Sequence, residues 1–225
     1  LFGVFSPTRA AHRISSNAST YGLLFRLLLE AFQEMRCAAR VGEKTPNNVR
    51  YLAELVDLFP DARIVHILRD PRDSISSRIR YPFSSPSVIF NTLLWKIEMI
   101  YAFDFASAEG AGEERYMEVR YEDLVREPER LLRRICQFIG VTYRAAMLDG
   151  HRRAERVVKG EPWKAGIGEP VNRRSIGAWQ QRLTPAEVGL IEAIGGRYVE
   201  ESGYERLSTV GRPRIAVEAL RDLLR

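Results

Sequence analysis

The sequence predicts an α/β domain whose central sheet is mainly parallel and is flanked by helices. Short segments with strand character alternate with longer segments whose apolar residues recur at helical spacing. The clearest strand, over 62–68, is an almost continuous apolar run, which is typical of a strand covered on both faces. With 225 residues, of which 45% are hydrophobic and 28% charged, the chain is long enough to bury one core.

The predicted elements follow one another with short connections. Residues 1–20 contain turn residues and little periodicity, which predicts loop. A second strand begins near residue 114. The most apolar helix carries Lys96 and Glu98, so no stretch is long and apolar enough to cross a bilayer. Apolar spacing predicts helices over about 20–40, 49–59, 71–80, 86–108, 127–141 and 184–204.

One domain accounts for most of the chain. Thr184 and Glu187 have the spacing of a capping box, which marks the start of the last long helix. Residues 150–178 are polar and contain many glycines and prolines, so we expect an extended loop there. We therefore expect a single domain over 1–210, followed by a short amphipathic tail over 211–225.

The charge balance favours an anionic partner. A net charge of +5 suits nucleic acid, an anionic lipid surface or a phosphorylated small molecule. The basic residues are spread along the chain and do not interleave with aromatic residues as a base-stacking platform would, so nucleic-acid binding is only the alternative. Cys37 and Cys136 belong to no metal-spaced motif, and we expect no metal.

The segment over 64–77 carries the strongest chemical signal, because the apolar strand ends directly in a cluster of charge. Ligands of open α/β sheets bind beyond the carboxyl ends of strands, which is where Arg69 lies. Asp70 as N-cap and Pro71 at the first position predict a helix whose N-terminus favours an anion. Arg69 offers a fork suited to phosphate. In the competing interpretation, Asp70 and Asp73 simply satisfy the helix N–H groups and pair with arginines, and the sequence leaves both open.

Three further features suggest a binding site, each with a simpler alternative. Lys44 lies in a turn between two predicted helices, where a lysine is usually just solvated. Tyr121 lies where the second strand meets a helix, and it either presents its ring to a ligand or packs. Arg173, Arg174 and Ser175 precede a glycine in the long loop, as in a phosphate clamp or in an ordinary solvated loop.

Taken together, these segments resemble the sulfotransferase superfamily that uses 3'-phosphoadenosine 5'-phosphosulfate, and its bacterial members in particular. The matching stretches are "EKTPNN", "FPDARIVHILRDPRDSISS", "RYEDLVREPERLLRRICQFIGV" and "SIGAWQQRLTPAEV", within about 20–205. The second and third are the more specific. The resemblance implies a three-layer fold like that of P-loop NTPases, with a central mainly parallel sheet flanked by helices.

The resemblance also implies how the nucleotide would bind. Arg69 and Ser77 match the pair that binds its 3'-phosphate, and Tyr121 is similar to the residue that contacts the adenine. Helical periodicity by itself does not distinguish Ser77 from Ser74.

Two more segments are given roles by the same resemblance. The loop with Arg173, Arg174 and Ser175 looks like the segment that closes over the 3'-phosphate. Lys44 matches a lysine that lies near the sulfuryl group.

One departure from the family concerns its glycine-rich phosphate loop. Family members carry approximately "PRSGTT" after their first strand, and this chain has only "FSPTRAAHR" near its start. The loop supplies N–H groups where charge develops on the leaving phosphate. We therefore expect that the first strand and this loop are missing, that the chain is an N-terminally truncated fragment, and that much of its transition-state stabilisation is lost.

A second departure concerns the catalytic base. Cytosolic-type members carry a histidine two residues after the lysine, where this chain has Pro46. Other members use a glutamate, in some cases nearer the N-terminus, so one expectation is that the base is lost with the missing segment. Within this chain, the candidates are Glu43 and His12. His66 lies inside the predicted strand, and we expect it to be a core residue.

The implied reaction is in-line transfer of a sulfuryl group from 3'-phosphoadenosine 5'-phosphosulfate to a hydroxyl or amine, without a metal. The acceptor would be a small molecule, a sugar or a lipid, in a pocket shaped by the helix over 86–108 and the loop over 150–178. We expect a cytoplasmic protein, because the co-substrate is cytosolic and the sequence shows no disulfide pattern. The alternatives are an inactive nucleotide-binding remnant and an arginine-rich nucleic-acid-binding or scaffolding domain.

Overall fold

The computed structural model describes residues 2–5, 20–108, 112, 114–150 and 169–207. Within these ranges the protein is a mixed α/β fold with one four-stranded sheet, in the order β2-β1-β3-β4. The strands are β1 (Phe2–Phe5), β2 (Val41–Glu43), β3 (Arg63–Leu68) and β4 (Tyr116–Arg120).

Eight α-helices lie in the described part of the chain, together with three short 3-10 turns over Pro46–Tyr51, Ala145–Met147 and Ala178–Gln181. None of these helices is long and apolar enough to cross a membrane. The α-helices are α1 (Thr20–Met35), α2 (Leu52–Leu58), α3 (Pro71–Arg78), α4 (Val88–Ser107), α5 (Tyr121–Arg126), α6 (Pro128–Ile139), α7 (Pro185–Gly195) and α8 (Arg197–Glu201).

The sheet is mixed rather than mainly parallel. The neighbours β3 and β4 run parallel: the Ile64 N–H donates to the Arg115 carbonyl at 2.7 Å, so both strands start at the same edge. Two helices connect them, as parallel neighbours require. In contrast, β1 is antiparallel to β2 and to β3, with Gly3 opposite Glu43 on one side and Ile64 on the other. The predicted parallel sheet is therefore correct for β3 and β4 and wrong for β1.

The start of the chain also departs from the prediction. Residues 1–20 were predicted as loop, and we expected the first strand to be absent, but residues 2–5 form β1 between β2 and β3. Residues 6–19 lie outside the described residues, as do 151–168 of the predicted extended loop and the predicted tail over 211–225.

The predicted capping box is confirmed. Thr184 Oγ1 accepts from the Glu187 N–H at 3.3 Å, and the Glu187 carboxylate accepts from the Thr184 N–H at 2.7 Å. The helix that begins there is shorter than predicted, because Gly196 adopts a φ of +61° and separates α7 from α8. Such a φ is readily adopted by glycine alone, and it turns the chain at this point.

The described residues divide into two compact units. Unit 1 comprises 1–67, 101–119 and 133–142, and contains nearly all of the sheet. Its core is formed by side chains from β2, the 3-10 turn before α2, the start of α2, β3 with the residue before it, and α4. They form two buried clusters, one of Val49, Leu52, Ile64 and Ala102 and one of Val41 and Ala62.

Unit 2 comprises 68–100, 120–132 and 143–225. It buries apolar side chains, among them Ile75 of α3 and Ile191 of α7, but also an unusual number of charged ones. The buried charged residues of this unit are Asp70, Arg72, Asp73, Glu98, Glu122 and Glu192. Buried charges must be paired or hydrogen-bonded, and most of these surround the candidate site.

Candidate functional site

The turn after β3 has the local structure that the sequence predicts. Asp70 is the N-cap of α3, and its Oδ1 accepts from the Arg72 N–H at 2.9 Å, while Pro71 occupies the first helical position. The strand is apolar because it runs through the core, and α3 starts where the charged residues begin. Arg69 is thereby placed immediately before the helix.

Arg69, Tyr121 and Ser175 lie together in unit 2. The Arg69 guanidinium carbon is 4.7 Å from the centre of the Tyr121 ring, which is a cation–π contact. One guanidinium nitrogen of Arg69 donates to the backbone carbonyl of Ser175 at 2.6 Å. The structure therefore brings together three of the six residues that the resemblance assigns to the nucleotide.

The Nε–H of Arg69 is buried and has no hydrogen-bond partner among the described residues. An unmet donor on a charged, partly buried group costs free energy. Four other arginines in the described ranges have a buried Nε–H without a partner as well, so this donor points to a ligand only together with the position of Arg69 just after β3. An anionic oxygen would supply that partner. This observation fits a phosphate group beside Arg69.

The other three assigned residues are not in this cluster of contacts. Ser77 is half-buried on α3, almost two turns beyond Arg69. Arg173 and Arg174 are exposed. Arg173 donates to the Arg126 carbonyl at 3.3 Å, and Arg174 pairs with Glu169 at 3.0 Å. The structure does not test the roles given to these residues, which stay predictions.

Arg72 is the centre of a buried ion-pair network under the site. Its guanidinium contacts Asp70 at 2.8 Å and Glu192 of α7 at 3.1 Å, and its carbon lies 4.7 Å from the Trp179 ring centre. Burial lowers the pKa of Arg72, but the hydrogen bonds and charges of Asp70 and Glu192 outweigh it, so the pKa lies above its ordinary value. Arg72 is therefore firmly charged, and it holds α3 against α7.

Asp73 is bound to a segment 104 residues further along the chain. Its two carboxylate oxygens accept from the backbone N–H groups of Gly177, at 2.7 Å, and Trp179, at 2.9 Å. Burial raises the pKa of Asp73 above its ordinary value, although both N–H groups and the charge of Arg69 oppose that shift. The interpretation in which Asp73 caps its own helix is wrong for the contacts observed.

Glu122 supports the same turn from another direction. It accepts from the Asp70 N–H at 3.0 Å and from the Tyr204 hydroxyl at 2.8 Å. Burial, the main cause, together with the charge of Glu122, raises the pKa of Tyr204, which therefore stays protonated as a donor. The residue that precedes α3, Asp70, is thus fixed by Glu122 and Arg72, both of unit 2.

The two predicted catalytic residues lie in unit 1, in a more open setting. Glu43 ends β2 and is half-buried, and its carboxylate accepts from the Thr45 hydroxyl at 2.5 Å and from the Asn48 amide. Lys44 is exposed. The other candidate base, His12, lies outside the described residues.

His66 is a core residue, as expected. Its Nδ1 lies 2.5 Å from the Tyr116 hydroxyl, and burial lowers its pKa to about 4. It is therefore neutral near pH 7.

Sequence reasoning missed the long-range contacts of three carboxylates that shape this site: Asp73, Glu122 and Glu192. Glu192 carried a usable signal, because it interrupts the apolar run "VGLIEAIG" of α7 and so had to be buried with a partner. Glu122 and Asp73 gave no comparable signal, since a carboxylate in the first turn of a helix is ordinary. Across the described ranges, no group of three or more His, Cys, Asp and Glu side chains could hold a metal ion.

Comparison with known proteins gives a consistent family assignment. The profile described as "Sulfotransferase family" matches residues 6–145. An omega-hydroxy-beta-dihydromenaquinone-9 sulfotransferase of Mycobacterium tuberculosis is 28% identical over 130 residues, which is 52% of this chain and 32% of that protein. A protein-tyrosine sulfotransferase of Drosophila melanogaster is 25% identical over 163 residues, or 67% of this chain and 32% of that protein. The chain thus spans about a third of the length of these curated relatives.

Two solved structures share the fold. The sulfotransferase domain from the curacin biosynthetic pathway gives a TM-score of 0.65 at 19% identity, covering 82% of this chain and 68% of that one. The sulfotransferase domain from the Synechococcus PCC 7002 olefin synthase gives 0.54 at 25% identity, covering 68% of this chain and 57% of that one.

Proposed function

The chain belongs to the sulfotransferase family, and from this premise we propose that it transfers a sulfuryl group from 3'-phosphoadenosine 5'-phosphosulfate to an acceptor. The match to the family profile over residues 6–145 is the observation that carries the proposal. In such a transfer the bond from sulfur to the 5'-phosphate oxygen breaks, a bond from sulfur to the acceptor atom forms, and a base takes the acceptor's proton. The nucleotide, when bound, supplies the activated sulfuryl group.

The nucleotide half of the proposal rests on Arg69 and its neighbours. Arg69 is a permanent cation with an unmet buried Nε–H, and it is held between the Tyr121 ring and the Ser175 carbonyl. These features suit a 3'-phosphate beside an adenine that contacts Tyr121. Ser77, Arg173 and Arg174 complete the proposed set, with the two exposed arginines close in sequence to Ser175.

The transfer half of the proposal rests on Lys44 and Glu43. Lys44 is exposed and so has its ammonium available for the negative charge of the sulfuryl group. We keep Glu43 as the candidate base. Each of its carboxylate oxygens is hydrogen-bonded within unit 1, to Thr45 and to Asn48, which fixes its orientation at the end of β2.

We propose a hydroxyl as the acceptor group. The two relatives compared above are named for an omega-hydroxy menaquinone and for protein tyrosine, and both of these carry a hydroxyl. Their remaining chemistry differs widely, so the body of the acceptor stays open among small molecules, sugars and lipids. An amine is the second option for the reacting group.

A second candidate function is nucleotide binding without turnover. It is favoured by one observation, namely that no glycine-rich "SGTT"-type segment occurs anywhere in the 225 residues. Such a loop contributes donors where the leaving phosphate gains charge, and its loss costs rate more than affinity. A remnant of this kind would still bind the nucleotide through Arg69 but would not accelerate the transfer of the sulfuryl group.

Turnover of the co-substrate separates the two functions. We would incubate the chain with 3'-phosphoadenosine 5'-phosphosulfate and a set of phenols, alkyl alcohols and sugars, and measure 3'-phosphoadenosine 5'-phosphate and the sulfated product. Acceptor-dependent product that disappears in Lys44→Ala supports the transferase. Binding of the bisphosphate without any product supports the remnant, and steeply salt-dependent binding of polynucleotide alone would contradict both.

A further inference from the structure

The proposed function gives no role to the carboxylate of Asp73, although it is one of the most deeply buried charged groups in unit 2. The residue is 1% exposed. A carboxylate that is removed from water to this extent is very costly unless hydrogen bonds replace its hydration. The identity of its partners therefore indicates why it is buried.

Both partners belong to one short segment. Oδ2 of Asp73 accepts from the Gly177 N–H and Oδ1 from the Trp179 N–H. The same segment, 173–179, contains Ser175, whose carbonyl accepts from Arg69. Arg69 lies just before α3 and Asp73 lies in its first turn, so the start of the helix contacts this segment first at Ser175 and again at Gly177 and Trp179.

A third contact holds the same segment. The guanidinium of Arg72 stacks over the Trp179 ring, and Arg72 is itself fixed by Asp70 and Glu192. Gly177, which lies between Ser175 and Trp179, has a φ of +71°, which sends the chain into the 3-10 turn that carries Trp179. The segment is therefore fastened by buried groups whose own positions are fixed.

We propose that Asp73 is a positioning residue, a latch that keeps the segment 173–179 against α3 so that Arg69 and Ser175 hold their geometry for a 3'-phosphate. This inference rests on the proposed function. A carboxylate suits the task because it offers two acceptor oxygens to two N–H donors at once. Asparagine has the same shape but turns an NH2 group toward one of those donors.

Asp73→Asn tests the latch, with Asp57→Asn as the matched control on the exposed face of α2. The readouts are the affinities for 3'-phosphoadenosine 5'-phosphate and for 5'-AMP, which lacks the 3'-phosphate, and the melting temperature of each variant. We expect Asp73→Asn to lose about tenfold or more in affinity for the bisphosphate, because two hydrogen bonds to a charged group are disturbed. Binding of 5'-AMP should change little, and Asp57→Asn should match the wild type.

The ratio of the two affinities separates positioning from general damage. If the role of Asp73 were purely structural, Asp73→Asn would lower the affinity for both ligands equally, and that result overturns the proposed positioning role. An unchanged bisphosphate affinity in folded Asp73→Asn overturns it as well, while the proposed function stands. A wild-type chain that binds neither ligand overturns the proposed function and this inference with it.

Amide hydrogen exchange covers the case in which Asp73→Asn does not fold. In the wild-type chain, the Gly177 and Trp179 amides should exchange far more slowly than in an unstructured peptide, and the bisphosphate should slow them further. Exchange of both amides at the rate of unstructured chain would contradict the latch without any variant.

Discussion

The two regions that carry the predicted chemistry are built in opposite ways. Around Arg69, in unit 2, the turn is fixed by buried groups: Arg72 pairs with Asp70 and Glu192, and Glu122 holds the Asp70 N–H. In unit 1, Lys44 is exposed. Its neighbour Glu43 accepts hydrogen bonds from Thr45 and Asn48, which are close to it in sequence.

The difference matches the different demands of the two proposed roles, nucleotide binding and sulfuryl transfer. A phosphate site needs donors fixed before the ligand arrives, because ordering them on binding costs affinity. Buried ion pairs supply that rigidity, although they add little net stability. An exposed lysine on a short turn has no such constraint. The comparison predicts that the two regions respond very differently to substitution.

The largest effect is expected at Glu192, which pairs with the buried Arg72 and accepts from the Leu207 N–H at 3.0 Å. Glu192→Ala should lower the free energy of unfolding by about 3–5 kcal/mol, because it leaves part of a buried guanidinium unpaired. Urea denaturation measures this directly. The control is Glu54→Ala at an exposed position of α2, which should change stability by less than about 0.5 kcal/mol. Equal midpoints for the two variants would remove the distinction between the regions.

The next effect is a pH dependence that belongs to unit 1. The pKa of His66 is lowered by burial to about 4, so the folded chain keeps this ring neutral at pH values where the unfolded chain binds a proton. The resulting stability is fully present above pH 6.5, the ordinary value, and is lost as the pH falls toward 4. The loss should reach about 3 kcal/mol in all, with about 2 kcal/mol gone by pH 5.

His66→Gln provides the comparison for this pH effect, because glutamine can still hydrogen-bond to Tyr116 but does not titrate. Chemical denaturation at pH 7.5 and pH 5 should show a smaller drop for the variant than for the wild type. Identical drops would mean that the buried ring does not carry the effect.

A third effect concerns affinity rather than stability. Arg69→Ala should weaken binding of 3'-phosphoadenosine 5'-phosphate roughly a hundredfold, because a charge-assisted contact to phosphate is lost. The melting temperature should fall by no more than about 4 °C, since the side chain is only partly buried. The control is Arg144→Ala, which removes an exposed arginine of the same unit. A weaker effect from Arg69→Ala than from Arg144→Ala would contradict the assignment of the site.

The smallest effect on binding is expected at Lys44. Lys44→Ala should leave stability within about 0.5 kcal/mol and should leave affinity for the bisphosphate unchanged, since that ligand has no sulfuryl group. Only turnover should fall, and Lys44→Arg should restore part of it by returning the charge. If Lys44→Ala lowered the affinity for the bisphosphate as much as Arg69→Ala does, the assignment of binding to one region and transfer to the other would be wrong.

The sequence predicted the parts of the fold that local chemistry determines. Apolar runs located β3 and the long helices, and the cap at Asp70 placed the start of α3. The short strands β1 and β2 were not predicted, because strands of three or four residues carry too little pattern to detect. Their pairing depends on partners distant in sequence.

At the candidate site, the sequence did not show which atoms of the named residues make contacts. Ser175 was predicted to contact the 3'-phosphate as part of the loop that closes over it. In the structure, its backbone carbonyl accepts a hydrogen bond from Arg69. For Asp73, a cap of its own helix was one of the two interpretations that the sequence left open, whereas its carboxylate accepts from the N–H groups of Gly177 and Trp179, 104 and 106 residues away. A one-dimensional pattern shows that a carboxylate is present, but the distant donors that bury it appear only in the folded chain.

The most direct test of the account is a calorimetric titration of this chain with 3'-phosphoadenosine 5'-phosphate, with 5'-AMP as the control ligand. The account predicts that the bisphosphate binds at least about tenfold more tightly, because Arg69 and its buried supports are arranged for a 3'-phosphate. Equal affinities, or no binding of either nucleotide, would contradict it.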